Sequence, residues 1–128
     1  MIIDDDDTAL FLHETILGDC GTTRLPESFN SAQSALEYLN RAENQAAQYL
    51  ILLDINMPVM NGWEFLDALE TATANRNIQV VMVTSSIEER DKKRALSKNL
   101  VTDFLIKPLT EQQLGVLKQY EHLQPFFE

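Results

Sequence analysis

The chain cannot form an internal disulfide, because Cys20 is the one cysteine among its 128 residues. A lone thiol suits a reducing compartment and leaves stability to the apolar core. No apolar run approaches the roughly 18 residues of a membrane span. Nor does Met1-Ile2-Ile3-Asp4 offer the basic n-region of a signal peptide. Positive charge is scarce: 10 basic side chains face 20 acidic ones, a formal net charge of −10. That sign disfavours direct binding to a nucleic-acid backbone and favours a metal cation or a basic partner surface. Glycine and proline number four each, with no cluster that would make a linker. Repeats and low-complexity segments are absent too. The expectation is one cytoplasmic domain over residues 1–128, with 45% hydrophobic residues to fill it.

What is present is concentrated between Tyr49 and Gly62. Leu50-Ile51-Leu52-Leu53 leads straight into Asp54. An unbroken aliphatic run reads as a strand buried on both faces. Pro58 and the Asn61-Gly62 pair then end the strand and mark a loop. Asp54 therefore sits at the tip of a buried strand, where an ionised carboxylate is costly unless something stabilises it.

Comparable apolar segments recur along the chain. Met1-Ile2-Ile3 precedes Asp4, Ile78 to Val83 precede Thr84, and Phe104-Leu105-Ile106 precede Lys107. Helical spacing follows each: Leu10, Leu12, Ile16 and Leu17; Trp63, Phe65, Leu66 and Leu69 after Asp54; a charged helix from Glu88 to Lys98; and Leu114, Leu117 and Tyr120. The first strand is short, or the chain is trimmed. A further strand is expected over Leu25 to Phe29, at a sheet edge because Pro26 cannot donate to a ladder. Its helix opens with Ala32, Ala35, Leu36 and Leu39 and is expected to run towards Ala46. Asn61-x-x-Glu64, Ser86-x-x-Glu89 and Thr110-x-x-Gln113 resemble capping signatures. Strand and helix alternating five times predict a doubly wound α/β fold, a five-stranded parallel sheet with helices on both faces.

Every strand then ends in a polar residue: Asp4 and Asp5, Asp54, Thr84, Lys107. In an open parallel sheet these ends line one edge, and ligands bind in the crevice there. Clustered carboxylates repel one another and need a hard cation, for which Mg²⁺ with its oxygen ligands is suited. Lysine supplies a point charge for phosphate. A carboxylate nucleophile, a metal, a hydroxyl and a lysine together describe phosphoryl transfer to aspartate.

These residues carry a specific resemblance. Ile3-Asp4-Asp5, Leu53-Asp54-x-Asn56-Met57-Pro58-x-Met60-x-Gly62, Val83-Thr84-Ser85 and Phe104-x-x-Lys107-Pro108 are together similar to the receiver domain of two-component response regulators, over essentially the whole chain. The resemblance implies a flavodoxin-like sheet of order 2-1-3-4-5. It implies that Asp54 accepts a phosphoryl group from a histidine kinase or phosphotransfer protein. Asp5 would bind Mg²⁺ directly, Asp4 through a water, and Asn56 through its backbone carbonyl. Lys107 would pair with the phosphoryl group, its bond to Pro108 being cis. Thr84 would swing toward the phosphate, and Phe104, at the aromatic switch position, would turn inward with it. The face of the fourth helix, fifth strand and fifth helix would carry the signal to a partner protein. A monomer or weak homodimer is implied, with no nucleic acid or membrane contacted directly. Asn56 and Ser86 sit where side chains influence water attack on the phosphoryl group. Both are small and polar, so no unusually long protection is expected. An acidic pair shifted by one, Asp5 and Asp6, stays open, and Asp5 belongs to either pair.

Plainer readings stand beside these. Asp6 and Asp7 read as charges favouring a helix N-terminus. His13 reads as a surface or boundary residue, His122 as solvent-exposed, and Cys20 as a small apolar filler. Arg90, Lys92, Lys93 and Arg94 read as a solvated face. The apolar tail Leu123-Gln124-Pro125-Phe126-Phe127 either packs on the domain or docks a partner or a second copy. Two rival functions remain. Asp4-x-Asp6-x-Thr8 also fits the opening motif of haloacid-dehalogenase-type phosphatases, with Asp4 as nucleophile, but that leaves Asp54-x-Asn56-Met57-Pro58 unexplained. The other is a pseudo-receiver, a binding module that is never phosphorylated.

Overall fold

A strand that is apolar at every position has two faces to cover, so the sheet needs helices on both sides. The computed structural model meets that demand; it describes residues 1–20, 26–44, 47–72, 78–85 and 88–127. Its strands are β1 (Ile2–Ile3), β2 (Ser28–Phe29), β3 (Tyr49–Leu53), β4 (Ile78–Thr84) and β5 (Val101–Ile106). Its helices are α1 (Asp7–Cys20), α2 (Ala32–Asn40), α3 (Gly62–Ala72), α4 (Glu89–Leu96) and α5 (Glu111–Leu117). All strand pairs are parallel, in the order β2-β1-β3-β4-β5.

Alternation along the strands sends side chains to two cores. Ile3, Ile51, Leu53, Val80 and Met82 join residues of α2 and α3 on one face, with Ala95 of α4. Ile2, Leu50, Leu52, Val81 and Val83 meet Leu10 and Leu17 of α1 and Leu114 and Leu117 of α5 on the other. A bulge in β5 interrupts the alternation. Val80 pairs with Val101 but Val81 pairs with Asp103, so Thr102 is extra. Val101 and Phe104, three apart, thereby reach the same core.

Local chemistry sets the helix ends. Asp6 Oδ1 accepts from the Thr8 and Ala9 N–H groups and so caps α1. Asn61 and Glu64 form a reciprocal capping box at α3, at 2.9 and 3.1 Å, and Thr110 and Gln113 form another at α5. The third expected box is not what starts α4. Its N-cap is Glu88, which makes no side-chain capping bond, and Ser86 lies outside the described residues. Helix α2 is shorter than expected: it stops at Asn40, where Arg41 turns extended and Asn44 Nδ2 donates to the Tyr38 carbonyl. Ala46 is outside the described residues. Strand β2 does lie at the sheet edge, but only Ser28 and Phe29 pair, and Leu25 is outside the described residues.

The tail packs on the domain. Residues Glu121–Phe127 form a 3₁₀ turn that buries Leu123 and rests Phe126 and Phe127 on the second core. Exposed His122 contacts the Thr102 hydroxyl at 3.1 Å, and the Tyr120 hydroxyl donates to Asp103.

Among the described glycines, Gly62 is needed for space. A Cβ on Gly62 would meet the Asp54 carbonyl oxygen at 2.6 Å and the Ile55 Cα at 2.9 Å. Both are backbone atoms, so neither can move aside cheaply. Gly62→Ala is expected to destabilise the fold by about 1–3 kcal/mol, the usual range for overpacking, in urea denaturation.

Candidate functional site

Because the strands are parallel, their carboxyl ends share an edge. β1 runs into Asp4 and Asp5, β3 into Asp54, β4 ends on Thr84, and β5 runs into Lys107. The chain leaves β1 toward β2 on one side and returns through β3 on the other. The crevice at this reversal is where an open α/β sheet binds its ligand, and it holds the acidic residues.

Three carboxylates meet there. Asp4, Asp5 and Asp54 each offer an oxygen within 4.8 Å of the others. Asp4 and Asp54 are buried, and Asp5 is exposed at the mouth. Lys107 Nζ lies 2.6 Å from Asp4 Oδ2 and 3.6 Å from Asp54 Oδ1. Asp4 Oδ1 accepts from the Asp6 N–H at 2.9 Å, whereas its buried Oδ2 has the lysine ion pair and no hydrogen bond besides. Burial pushes the Asp54 carboxyl up to about 6, and the charges of Asp4 and Asp5 add to this. Lys107 and the Asn56 N–H pull the other way. Burial would lower the Lys107 ammonium, but Asp4 and Asp54 outweigh that and hold it above its ordinary range.

One ammonium against three carboxylates leaves a surplus of negative charge and a buried oxygen without a hydrogen bond. Hard oxygen donors converging this closely fit a divalent cation such as Mg²⁺, with Asp5 on the open side where metal-bound water can remain. The acidic pair that joins Asp54 is Asp4 and Asp5, because Asp6 is turned away to cap α1.

The other expected site residues are placed as follows. Thr84 is fully buried at the end of β4, and its carbonyl accepts the Lys107 N–H at 2.8 Å. Asn56 is exposed beside Asp54. The Lys107-Pro108 bond is cis. Phe104 already lies in the first core, 7% exposed. Without a hydroxyl, its ring has nothing to keep it in water.

Two features were not foreseen. The Met60 N–H donates to the Pro58 carbonyl at 2.8 Å, a tight turn that holds Val59 at φ 69° on the surface. A β-branched residue at positive φ carries strain of about 1–3 kcal/mol. His13 is buried at 4% exposure, not a surface or boundary residue. Leu10, His13 and Leu17 form the inward stripe of α1, whereas Leu12, expected on that stripe, is exposed together with Phe11. His13 Nδ1 has no hydrogen-bond partner. Burial lowers its pKa, and the charges of Asp4 and Lys107 reach it. Its position relative to Asp4 was hidden by the phase of the helix.

The fold and this acidic crevice define a doubly wound α/β domain with its candidate site at the switch point of the sheet, and comparisons with known proteins give its family. The response regulator receiver domain family matches residues 1–117. A two-component response regulator from Cytophaga hutchinsonii is 35% identical, with a TM-score of 0.79 over 96% of this chain and 94% of that one. A response regulator receiver protein from Dyadobacter fermentans is 30% identical, with a TM-score of 0.78 over 92% and 93%. The probable methanogenesis regulatory protein FilR2 of Methanothrix harundinacea is 30% identical over 89% of this chain and 74% of its own length. Other relatives are much longer: the chain spans 47% of the transcriptional regulatory protein CitT of Halalkalibacterium halodurans and 12% of the sensor protein GacS of Pseudomonas syringae. The chain belongs to the receiver domain family of two-component response regulators, whose role is phosphorelay signalling. No described helix is long and apolar enough to cross a membrane. The phosphatase alternative falls with this assignment, and Asp4, buried and held by Lys107, is poorly placed as a nucleophile.

Two stability predictions follow from the charges. The Asp54 pKa is about 6 in the fold against 3.8 unfolded, so the native state holds an extra proton between those values. Stability is therefore lost as pH rises through that window. In chelator-treated protein, Asp54→Asn should exceed wild type by about 2 kcal/mol at pH 7, with the gap closing toward pH 4, by urea titration at each pH. His13 has the opposite sign: its folded pKa lies below 6.5, so wild type loses stability as pH falls through 6.5. His13→Leu should be about 1–3 kcal/mol more stable at pH 7, since it removes an unsatisfied buried nitrogen, and further ahead at pH 5.5.

Proposed function

We propose that Asp54 is the phosphoacceptor, that the reaction needs Mg²⁺, and that the donor is the phosphohistidine of a histidine kinase or phosphotransfer protein. The observation that carries this reading is the convergence of Asp4, Asp5 and Asp54 on one ammonium at the reversal point of the sheet. In the transfer, an Asp54 oxygen attacks phosphorus. A P–O bond forms while the P–N bond breaks, and its electron pair returns to the imidazole nitrogen. Mg²⁺ bound by Asp5, Asp54 and the Asn56 carbonyl, with Asp4 acting through water, would offset the repulsion between a carboxylate and an incoming anion.

Lys107 is already charged and already at the acceptor. It would exchange part of its contact with Asp4 for a phosphoryl oxygen, and Thr84 would donate its hydroxyl to another. Movement of Thr84 would draw the segment between β4 and α4 with it. The downstream protein would read the α4–β5–α5 face, where Leu96, Ile106 and Val116 are exposed. The chain would act in the cytoplasm as a monomer or weak homodimer. The reading of a silent binding module has less in its favour, because Asp4, Asp5, Asp54 and Lys107 converge at the crevice.

The test is incubation with acetyl phosphate, with and without Mg²⁺, and separation on a phosphate-affinity gel. A shifted band is expected that disappears with EDTA, with Asp54→Asn, and after hydroxylamine. Lys107→Ala should slow its formation at least tenfold. A band of unchanged intensity in Asp54→Asn would assign the phosphoryl group elsewhere, and no band at all would favour the silent module.

A further inference from the structure

Helix α4 is lightly held. Ala95 is its one buried residue, and Arg90, Lys92, Lys93 and Arg94 all lie exposed. Yet two cations at its C-terminal end, Arg94 within the helix and Lys98 just beyond it, reach across to α3. The Arg94 guanidinium stands 4.2 Å from the centre of the Trp63 ring, and Lys98 Nζ lies 3.7 Å from Asp67 Oδ1. Trp63 and Asp67, four apart, share one face of α3, while Arg94 lies in the last turn of α4 and Lys98 follows its C-cap Ser97. The result is a two-rung ladder between the helices. The upper rung is the stronger one, because guanidinium stacks well on indole and Trp63 is 7% exposed.

The upper rung also touches the acceptor loop. Trp63 follows Gly62, whose N–H donates to the Ile55 carbonyl at 2.8 Å and whose Cα side abuts the Asp54 carbonyl. Arg94 is thus two residues of contact away from the backbone of Asp54. Beside the rung, a cleft of about 470 Å³ separates Asn56 and Asn61 of the loop from Arg90 and Arg94 of the helix. Along that side α4 faces a polar cleft, and Ala95 is its buried contact with the first core. Phe104 is already packed inside, so an inward turn of its ring is not available as the main link.

We propose that the Arg94–Trp63 stack, backed by Lys98–Asp67, is the contact that couples α4 to the state of the Asp54 loop. Arg94 is a positioning residue: it touches neither the phosphoryl group nor the metal ligands, and it acts through Trp63. The proposal rests on phosphorylation of Asp54 and adds the route from that residue to the output helix.

The test uses the full chain, with hydrogen exchange read on peptides of α3 and α4 before and after acetyl phosphate and Mg²⁺, and phosphorylation read on a phosphate-affinity gel. In wild type, phosphorylation should change exchange in α4 at least threefold. In Arg94→Gln, exchange in unphosphorylated α4 should already rise at least threefold with α3 unchanged. The further change on phosphorylation should fall below half its wild-type size, while the gel shows phosphorylation within twofold of wild type. Arg94→Lys, which keeps the cation, should restore more than half of the coupling. The emission of Trp63, the one tryptophan in the chain, should respond to phosphorylation in wild type and lose that response in Arg94→Gln. If wild type is phosphorylated but α4 in Arg94→Gln responds as fully as wild type, the ladder is not the coupling route. If wild type takes no phosphoryl group, the acceptor assignment fails first and the coupling proposal with it.

Discussion

The Lys107 ammonium between Asp4 and Asp54 is the interaction on which this structure turns. Three carboxylates at one strand edge would repel one another strongly in a partly dry setting. A single cation, 2.6 Å from one and 3.6 Å from another, keeps that edge assembled, but it cannot balance all three. The remaining imbalance is useful. It would favour a divalent cation on the exposed side, and it leaves Asp54 with a raised pKa. Lysine suits this role because its flexible stem lets one charge serve two partners in turn.

Such a charge cluster needs a rigid base, and the two-sided core supplies it. β3 and β4 are buried on both faces, so the strand backbone leading to Asp54 and Thr84 is firmly held, and movement is left to the Thr84 side chain and the segment after it. The loops beyond are less relaxed. Gly62 must have no side chain for the helix to approach Asp54, and Val59 is held at positive φ by the turn through Pro58. Local preference and tertiary demand disagree within a few residues of Asp54. Such conflicts cluster where a structure serves chemistry instead of its own stability.

Much of this was legible in the chain before any coordinates. Unbroken apolar runs ending in Asp, Thr or Lys announce buried parallel strands, and parallel strands bring their ends together by geometry alone. The edge position of β2 followed from Pro26, and the order of the sheet from the resemblance to receiver domains. What escaped depends on phase and on long-range contact. Leu10, Phe11, Leu12, Ile16 and Leu17 wrap so far around α1 that periodicity does not select its inward face, and His13 was misplaced for that reason. The end of α2 is set by a single amide, Asn44, reaching back to Tyr38. The bulge at Thr102 is invisible in composition, yet it decides which core receives Phe104. The placement of the tail depended on a surface to receive it, which Leu123 found on the second core.

The buried Phe104 also bears on how a signal leaves the site. An aromatic switch works when two positions of the ring are close in free energy. A tyrosine has a reason to stay outside, because its hydroxyl prefers water, whereas phenylalanine gains by burial. With its ring in the core from the outset, the β5 position is biased to one arrangement. The element left with freedom is α4, with one buried alanine, a cleft at its side and two cations spanning to α3. Contacts of that kind are weak individually and sensitive to displacement. They suit a joint that must hold in one state and give in the other, which a well-packed apolar interface would resist.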